Sequence, residues 1–486
     1  MSSAGPDGLI TEHPLEGETM APATDEPTAA SIAQLGAALS GQVITPDDAG
    51  YDDVRQVFSG EFDRRPAAIA RVADEADVAR VVAFARESGL ELAIRGGGHS
   101  GAGHCTTDGG IVLDLRDMKA LDVDVEGRTA WAQAGLTAVE YSAATGDRGL
   151  VTGFGDTGSV GIGGITLGGG VGYLVRKYGM TIDDLLAADV VTADGELLRV
   201  DEERHPDLFW AIRGGGGNFG VGTRFRFRLH ELDTVVGGML MLAATADVVT
   251  EFIALAEAAP EELSTIANVM PAPPMPFVPE EHHGKLVVLA FMCYAGETEA
   301  GERALAPFRA LATPLADMVR PIPYPEMYPP EDESYHPTAL THTMFIDTVD
   351  QGVAETIMKH LEASDASMRV AQLRVLGGAM ARVPADATAF AHRASRIMVN
   401  VASFYEGPED RVVRQSWVDD LAAALRQRDN GAYVNFLVDE GERRIREAYP
   451  GPTWDRLAAI KARYDPTNLF RLNQNIPPAA RNGGGR

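Results

Sequence analysis

The chain has 486 residues, 45% of them hydrophobic, with a formal net charge of −28 and two cysteines. At roughly 150 residues per domain that length predicts two or three domains with sizeable cores. The acidic balance disfavours nucleic-acid partners, and Cys105 and Cys293 are too few for a disulfide framework.

Residues 1–30 are rich in Pro, Thr, Ala and acidic groups and read as a flexible tail. They lack a basic region followed by an apolar one, so no secretory signal is expected. No apolar run of about 18 residues appears, which predicts no membrane span. A cytoplasmic location is the resulting expectation. CxxC, HExxH and P-loop signatures are absent, and no metal is expected.

Folded sequence is predicted to begin with a short helix over 31–39. Residues 67–72 are apolar and strand-like. Asp74 is a candidate N-cap for a helix whose apolar face carries Val78, Val81, Val82 and Ala85, and Gly89 is its stop. A strand over 91–94 leads into Arg95-Gly96-Gly97-Gly98-His99-Ser100, followed by Gly103 and His104. Three consecutive glycines let backbone N–H groups approach phosphate oxygens, and His99 brings an imidazole to the same place.

Strands are predicted over 111–115, 120–125 and 129–134, then a helix over 137–148. Residues 153–172 hold ten glycines. Val160, Ile162, Ile165, Leu167 and Val171 interleave with them, which predicts packed structure and not a linker. A third cluster, Arg213 to Gly220, precedes Val221 and an alternating strand over 223–229 with Phe225, Phe227 and Leu229 on one face.

Beyond residue 235 glycine thins out. Strand-like 285–291 and helical 300–312 belong to a second α+β domain expected over 235–430. Five prolines in 321–336 predict a long ordered loop. Met270, Met275 and Met292 suggest an adaptable apolar pocket, weighed against ordinary core packing. Segment 431–486 returns to dense motifs: Tyr433-Val-Asn435-Phe436, Tyr464-Asp-Pro-Thr-Asn468 and Asn473-Gln-Asn475-Ile476.

Three glycine-rich loops suit a long dinucleotide. GxGxxG spacing is missing from the first, which disfavours a nicotinamide-type Rossmann fold. Taken together, 95–100, Gly158-Ser159-Val160-Gly161-Ile-Gly163-Gly164, Gly168-Gly169-Gly170-Val-Gly172-Tyr173, 210–220 and the closing motifs resemble the berberine-bridge-enzyme-like FAD-linked oxidases of the vanillyl-alcohol-oxidase (PCMH-type) superfamily. The resemblance covers about 60–235 and 430–478. It implies an α+β fold: a two-part FAD-binding domain (31–234), an antiparallel-sheet substrate domain (235–430), and a C-terminal segment (431–486) returning to the FAD domain.

The same resemblance implies that His99 bonds covalently to the flavin 8α carbon. Thr157 stands where many relatives carry a second, cysteine tether, so His99 is expected to be the only link. Cys105 does not match that position and reads as a packed cysteine. Val160 matches a position that gates oxygen, and valine there resembles the oxidases. FAD contacts are expected from Arg95 to Ser100, Gly103, His104, Gly158 to Gly161, Gly163, Gly164, Gly168, Gly169, Val221, Asn473 and Asn475.

Relatives place a catalytic tyrosine where this chain has Phe436. Tyr433 is then the leading candidate base, weighed against a hydrogen-bonded structural role, with Asn435 orienting it. Tyr405, His336 and His342 are weaker candidates. Arg176, Lys177 and Tyr178 read as helix surface in preference to a substrate clamp. The implied activity removes hydride from a C–OH or activated C–H centre of a small molecule (sugar, aromatic alcohol or natural-product intermediate), with O2 reduced to hydrogen peroxide. Oxidative cyclisation or desaturation, a dehydrogenase with another acceptor, and a silent flavin-binding protein are the alternatives. These motifs leave the substrate and oligomeric state open.

Overall fold

The structure is a computed structural model describing residues 29–480 except 333. The expected tail falls outside these residues, apart from Ala29 and Ala30, which start the first helix, Ala29–Ala38.

Four short strands form the first sheet, in the order Gln42–Ile44, Ala68–Arg71, Ile111–Asp114, Leu92–Arg95. Helix Glu75–Ser88 forms where the periodicity predicts. Asp74 accepts the Asp77 N–H as N-cap, and Gly89 terminates the helix at φ 71°. Val78, Val81, Val82 and Ala85 are buried against the sheet. The strands flanking this helix are not neighbours: Ile111–Asp114 lies between them, parallel to both. The glycine loop therefore leaves the sheet at an edge strand.

A five-stranded antiparallel sheet follows, ordered Leu121–Asp124, Thr129–Gln133, Val221–Arg228, Leu185–Val191, Leu197–Val200. Phe225 and Phe227 are buried as the alternation predicts. Helix Ala138–Gly146 starts in a capping box between Thr137 and Glu140. Within the glycine-dense stretch, Ile162–Gly168 forms a short helix that glycine content concealed.

An eight-stranded antiparallel sheet begins with Thr234–Ala243. Helices Ala246–Ala258, Thr298–Arg309, Gln351–Ala363 and Gly407–Leu425 cover one face around a core of Leu240, Val269, Val288, Leu373 and Val399. The expected loop over 321–336 contains a strand, Arg320–Pro323, and a 3-10 turn, Tyr324–Met327.

The C-terminal segment rejoins the first half of the chain. Trp454, Leu457, Phe470 and Ile476 share a core with Trp210, Phe219 and Val221. This mixed α+β architecture, with a returning C-terminus, is the expected fold class. Among the described residues no helix is long and apolar enough to cross a membrane.

Candidate active site

The three glycine loops meet at one place. Gly97 and Gly161 touch backbone to backbone: a Cβ on Gly97 would lie 2.3 Å from the Gly161 nitrogen, and one on Gly161 2.3 Å from the Gly97 nitrogen. Only glycine on both sides permits that approach. The second loop is held alongside residues 136–139 by Ala138 N–H to Val160 O and Ile162 N–H to Leu136 O, both 2.9 Å. The third docks on the end of helix Ile162–Gly168 through Gly214 and Gly216 N–H to Leu167 O. The Asn218 side chain then donates to Gln474 O and accepts from Ile476 N–H, tying in the closing segment.

His99 sits at this junction. Its ring stacks on Phe58 with centroids 4.2 Å apart, and its Nε2 lies 2.9 Å from Ser159 Oγ. Burial pushes its pKa down to about 4, with Glu331 opposing, so the imidazole is neutral at pH 7.

Arg95 does not line this junction. It is 1% exposed, and its guanidinium donates to the carbonyls of Cys105, Val54 and Arg55, bracing the loop from behind. Ser100 Oγ accepts the His104 N–H, and Gly103 turns at φ 68° against Phe62. Gly163 packs on Ala134 and Gly164 meets nothing. Gly168 and Gly169 make room for protein: a Cβ on Gly168 would strike Asn435 Oδ1, and one on Gly169 would strike Met180. Val221 is buried in the strand pairing with Val191. The Oδ1 atoms of Asn473 and Asn475 are buried without a protein partner.

Tyr433 is fully packed between Phe390 and Phe436. Its oxygen receives Gly170 N–H at 2.9 Å, Val171 N–H at 3.1 Å and Asn435 Nδ2 at 3.0 Å. Burial raises its pKa, and these donors offset only part of that rise. Asn435 also donates to Ile165 O.

The weaker candidates lie elsewhere. His336 Nδ1 bonds Val57 O, and His342 faces Glu440 on the helix-covered side of the large sheet. Tyr405 joins the helix-side core. Arg176 corrects both readings offered for it: it is buried, and its guanidinium donates to the carbonyls of Ala256, Ala259 and Leu263. Cys105 is buried and its pKa raised by burial, as a packed thiol. Met292 is core and Met275 exposed, so only Met270 of the three methionines packs on the uncovered face, beside Met239 and Met241.

Several site residues carry no sequence signal. Asn268, Gln372, Asn400 and Thr343 form one row across four adjacent strands of that uncovered face. Gln372 donates to Asn268 Oδ1, while Asn400 Oδ1 and Thr343 Oγ1 are buried and unpartnered. In the next row Arg374 pairs with Asp156 of the second glycine loop at 2.7 Å and lies over the Phe436 ring at 5.1 Å. The row therefore faces the glycine loops. Among the described residues no cluster suits a metal ion.

A family described as an FAD binding domain matches residues 66–201, and one described as berberine and berberine-like matches 432–477. (R)-6-hydroxynicotine oxidase of Paenarthrobacter nicotinovorans is 31% identical over 90% of this chain and 97% of its own. The chain belongs to the berberine-bridge-enzyme-like FAD-linked oxidases. As a member it is an FAD-linked oxidoreductase. The crystal structure of 6-hydroxy-D-nicotine oxidase from Arthrobacter nicotinovorans superposes with a TM-score of 0.81 at 30% identity, covering 90% of this chain and 98% of that one. A chitooligosaccharide oxidase shares the fold, with a TM-score of 0.79 at 20% identity, over 93% of this chain and 99% of its own. FAD fits the site: the Gly97–Gly161 approach is a backbone cradle that a Cβ on either side would fill, His99 is neutral, and the closing segment offers two buried amide oxygens without protein partners.

Proposed function

We propose that this protein is an oxidase whose FAD, tethered through His99 alone, takes hydride from an activated C–H or C–OH centre of a small organic substrate and passes the electrons to dioxygen, giving hydrogen peroxide. His99, Gly96 to Gly98, Gly158, Val160 and Gly161 hold the cofactor, with Asn473 and Asn475 closing over it, while Ser159, expected among these contacts, has its N–H and hydroxyl committed to Glu331. Thr157 has no thiol for a second link. Val160 leaves room for oxygen.

The observation carrying this reading is the junction of His99, Gly97 and Gly161, together with the row Asn268–Gln372–Asn400–Thr343 on the sheet face whose Arg374 pairs with Asp156 of the second glycine loop. That row supplies amide and hydroxyl groups to orient polar atoms of the substrate, and Phe436, beside Arg374, supplies an apolar wall. Tyr433 acts in positioning: three donors already occupy its oxygen, so it has little capacity left to accept a substrate proton. With phenylalanine at 436, this favours a carbon activated by a neighbouring heteroatom over a plain alcohol, whose hydroxyl proton needs a positioned base.

A peroxide assay across cyclic amines, hydroxylated aromatics, sugars and oligosaccharides tests the proposal. Peroxide release with flavin bleaching is expected. Bleaching that persists for many minutes in air would instead indicate a dehydrogenase, and no bleaching with any substrate a silent binder.

A further inference from the structure

We propose that Glu331 and Ser159 form a proton relay that fixes the tautomer of His99 and drives its covalent bonding to the flavin. This rests on the His99 attachment proposed above. The two residues come from opposite halves of the chain. Glu331 lies in the proline-rich segment, which with the residue that follows it is tied to the first part of the chain at three further points: Tyr328 hydroxyl to Phe154 O at 2.8 Å, His336 Nδ1 with Val57 O at 2.9 Å, and Gly60 N–H to Pro337 O at 3.0 Å. Gly158 leaves the space, since a Cβ there would come within 3.2 Å of Glu331 Oε1.

Donor accounting gives the relay its direction. A carboxylate only accepts, so Ser159 N–H donates to Glu331 Oε1 at 3.0 Å and Ser159 Oγ–H to Oε2 at 2.5 Å. The serine hydrogen is thereby committed, and Ser159 Oγ meets His99 Nε2, 2.9 Å away, as an acceptor. Nε2 then carries the imidazole hydrogen, which leaves the lone pair on Nδ1. Stacking on Phe58 holds the ring in that orientation.

In the bonding step, Nδ1 forms a C–N bond to the 8α carbon of FAD. One C–H bond at that carbon and the N–H bond at Nε2 break. The two electrons and two protons end on dioxygen as hydrogen peroxide. Loss of the Nε2 proton prevents a positive charge from remaining on the alkylated imidazole, and Ser159 passes that proton to Glu331. Both are positioning residues acting through His99, and neither is needed to hold FAD non-covalently.

The test measures bound flavin before acid precipitation and the share retained by the protein after it, as a time course at several pH values. Wild type is expected to retain its flavin on the His99 peptide, linked through Nδ1 as read by NMR of the isolated peptide. Glu331→Gln and Ser159→Ala are expected to bind flavin fully but to bond it roughly a hundredfold more slowly, with a rate that climbs with pH where the wild-type rate is flat. Added formate is expected to restore the rate in Glu331→Ala. Combining Glu331→Gln with Ser159→Ala should be no slower than either alone. Wild-type rates in Glu331→Gln, or linkage through Nε2, would overturn the relay while leaving His99 attachment standing. Wild-type flavin released wholly by acid would overturn both.

Discussion

The phenolic oxygen of Tyr433 accepts the Gly170 N–H at 2.9 Å, joining the C-terminal segment to the second glycine loop across 263 residues. Val171 N–H and the Asn435 amide share the same oxygen. Tyr433→Phe keeps the ring contacts with Phe390 and Phe436 and strands two buried N–H groups. At about 1–3 kcal/mol for each unsatisfied buried donor, a stability loss of about 2–4 kcal/mol is expected in chemical denaturation, after some relaxation. Because Tyr433 positions the loop, turnover should fall only partly and its pH profile should keep its shape. A catalytic base would give the reverse pattern: near-complete loss of turnover in a protein of normal stability.

The glycines of the same loops divide into those the backbone needs and those it does not. Gly97→Ala places a methyl group 2.3 Å from the Gly161 nitrogen and 2.9 Å from Ser159 O, both backbone atoms that cannot swing aside. Flavin binding should be lost and the melting temperature should fall by several degrees, as a strain of about 2 kcal/mol or more implies. Gly164→Ala meets no protein atom within 4 Å and lies in helix Ile162–Gly168. It should leave the melting temperature unchanged or raise it slightly, because alanine favours a helix by about 1 kcal/mol relative to glycine. Parallel melting curves of the two variants decide the matter, and equal losses in both would refute the division.

The local parts of this architecture were legible in the sequence, and the parts built by long-range pairing were not. The Asp74 cap, the buried face of Val78 and Val81, and the Gly96–Gly98 loop follow from neighbouring residues. Helix Ile162–Gly168 was hidden because glycine lowers local helix propensity, and packing against Ala134 and the Asn435 amide supplies the difference. The row Asn268–Gln372–Asn400 depends on strand register between segments some 30 to 130 positions apart. No motif marks it. Glu331 is likewise invisible: it is one acid in an acidic chain until the proline-rich segment folds onto Ser159. Arg95 reads as a cofactor contact and Arg176 as helix surface in the sequence because nothing local shows the backbone carbonyls that occupy them.

Acid should weaken the flavin-free protein well before its carboxylates titrate. Burial holds His99, His104 and His342 each at a pKa of about 4, against 6.5 in an unfolded chain. Between those values the unfolded state binds more protons than the folded one, so stability falls as pH falls through the window 6.5 to 4. Each histidine contributes a slope of at most about 1.4 kcal/mol per pH unit, reduced by its partial exposure. Asp77 acts in a lower window. Burial raises its pKa, but the N–H groups of Ser40, Ala73 and Gly41 outweigh that and leave it lowered, so its contribution disappears only as pH drops further. Denaturation midpoints measured from pH 7.5 to 5 should therefore decline steadily, and His342→Gln should flatten the decline. A midpoint independent of pH across that range would mean these histidines are solvated in solution.

On the proposed reading, Val160→Leu separates substrate oxidation from oxygen use. Its backbone is pinned, with its carbonyl accepting the Ala138 N–H at 2.9 Å and the adjoining Gly161 locked against Gly97. A larger side chain therefore cannot readily be absorbed by moving the loop backbone. In Val160→Leu, stopped-flow mixing of reduced enzyme with air-saturated buffer should show reoxidation slowed by about tenfold or more, equivalent to about 1.4 kcal/mol at the barrier. If Val160 acts only on the oxygen half-reaction, anaerobic reduction by substrate should change by less than about twofold. Equal slowing of both half-reactions would mean that the leucine has displaced the cofactor, and unchanged reoxidation would remove Val160 from the oxygen path.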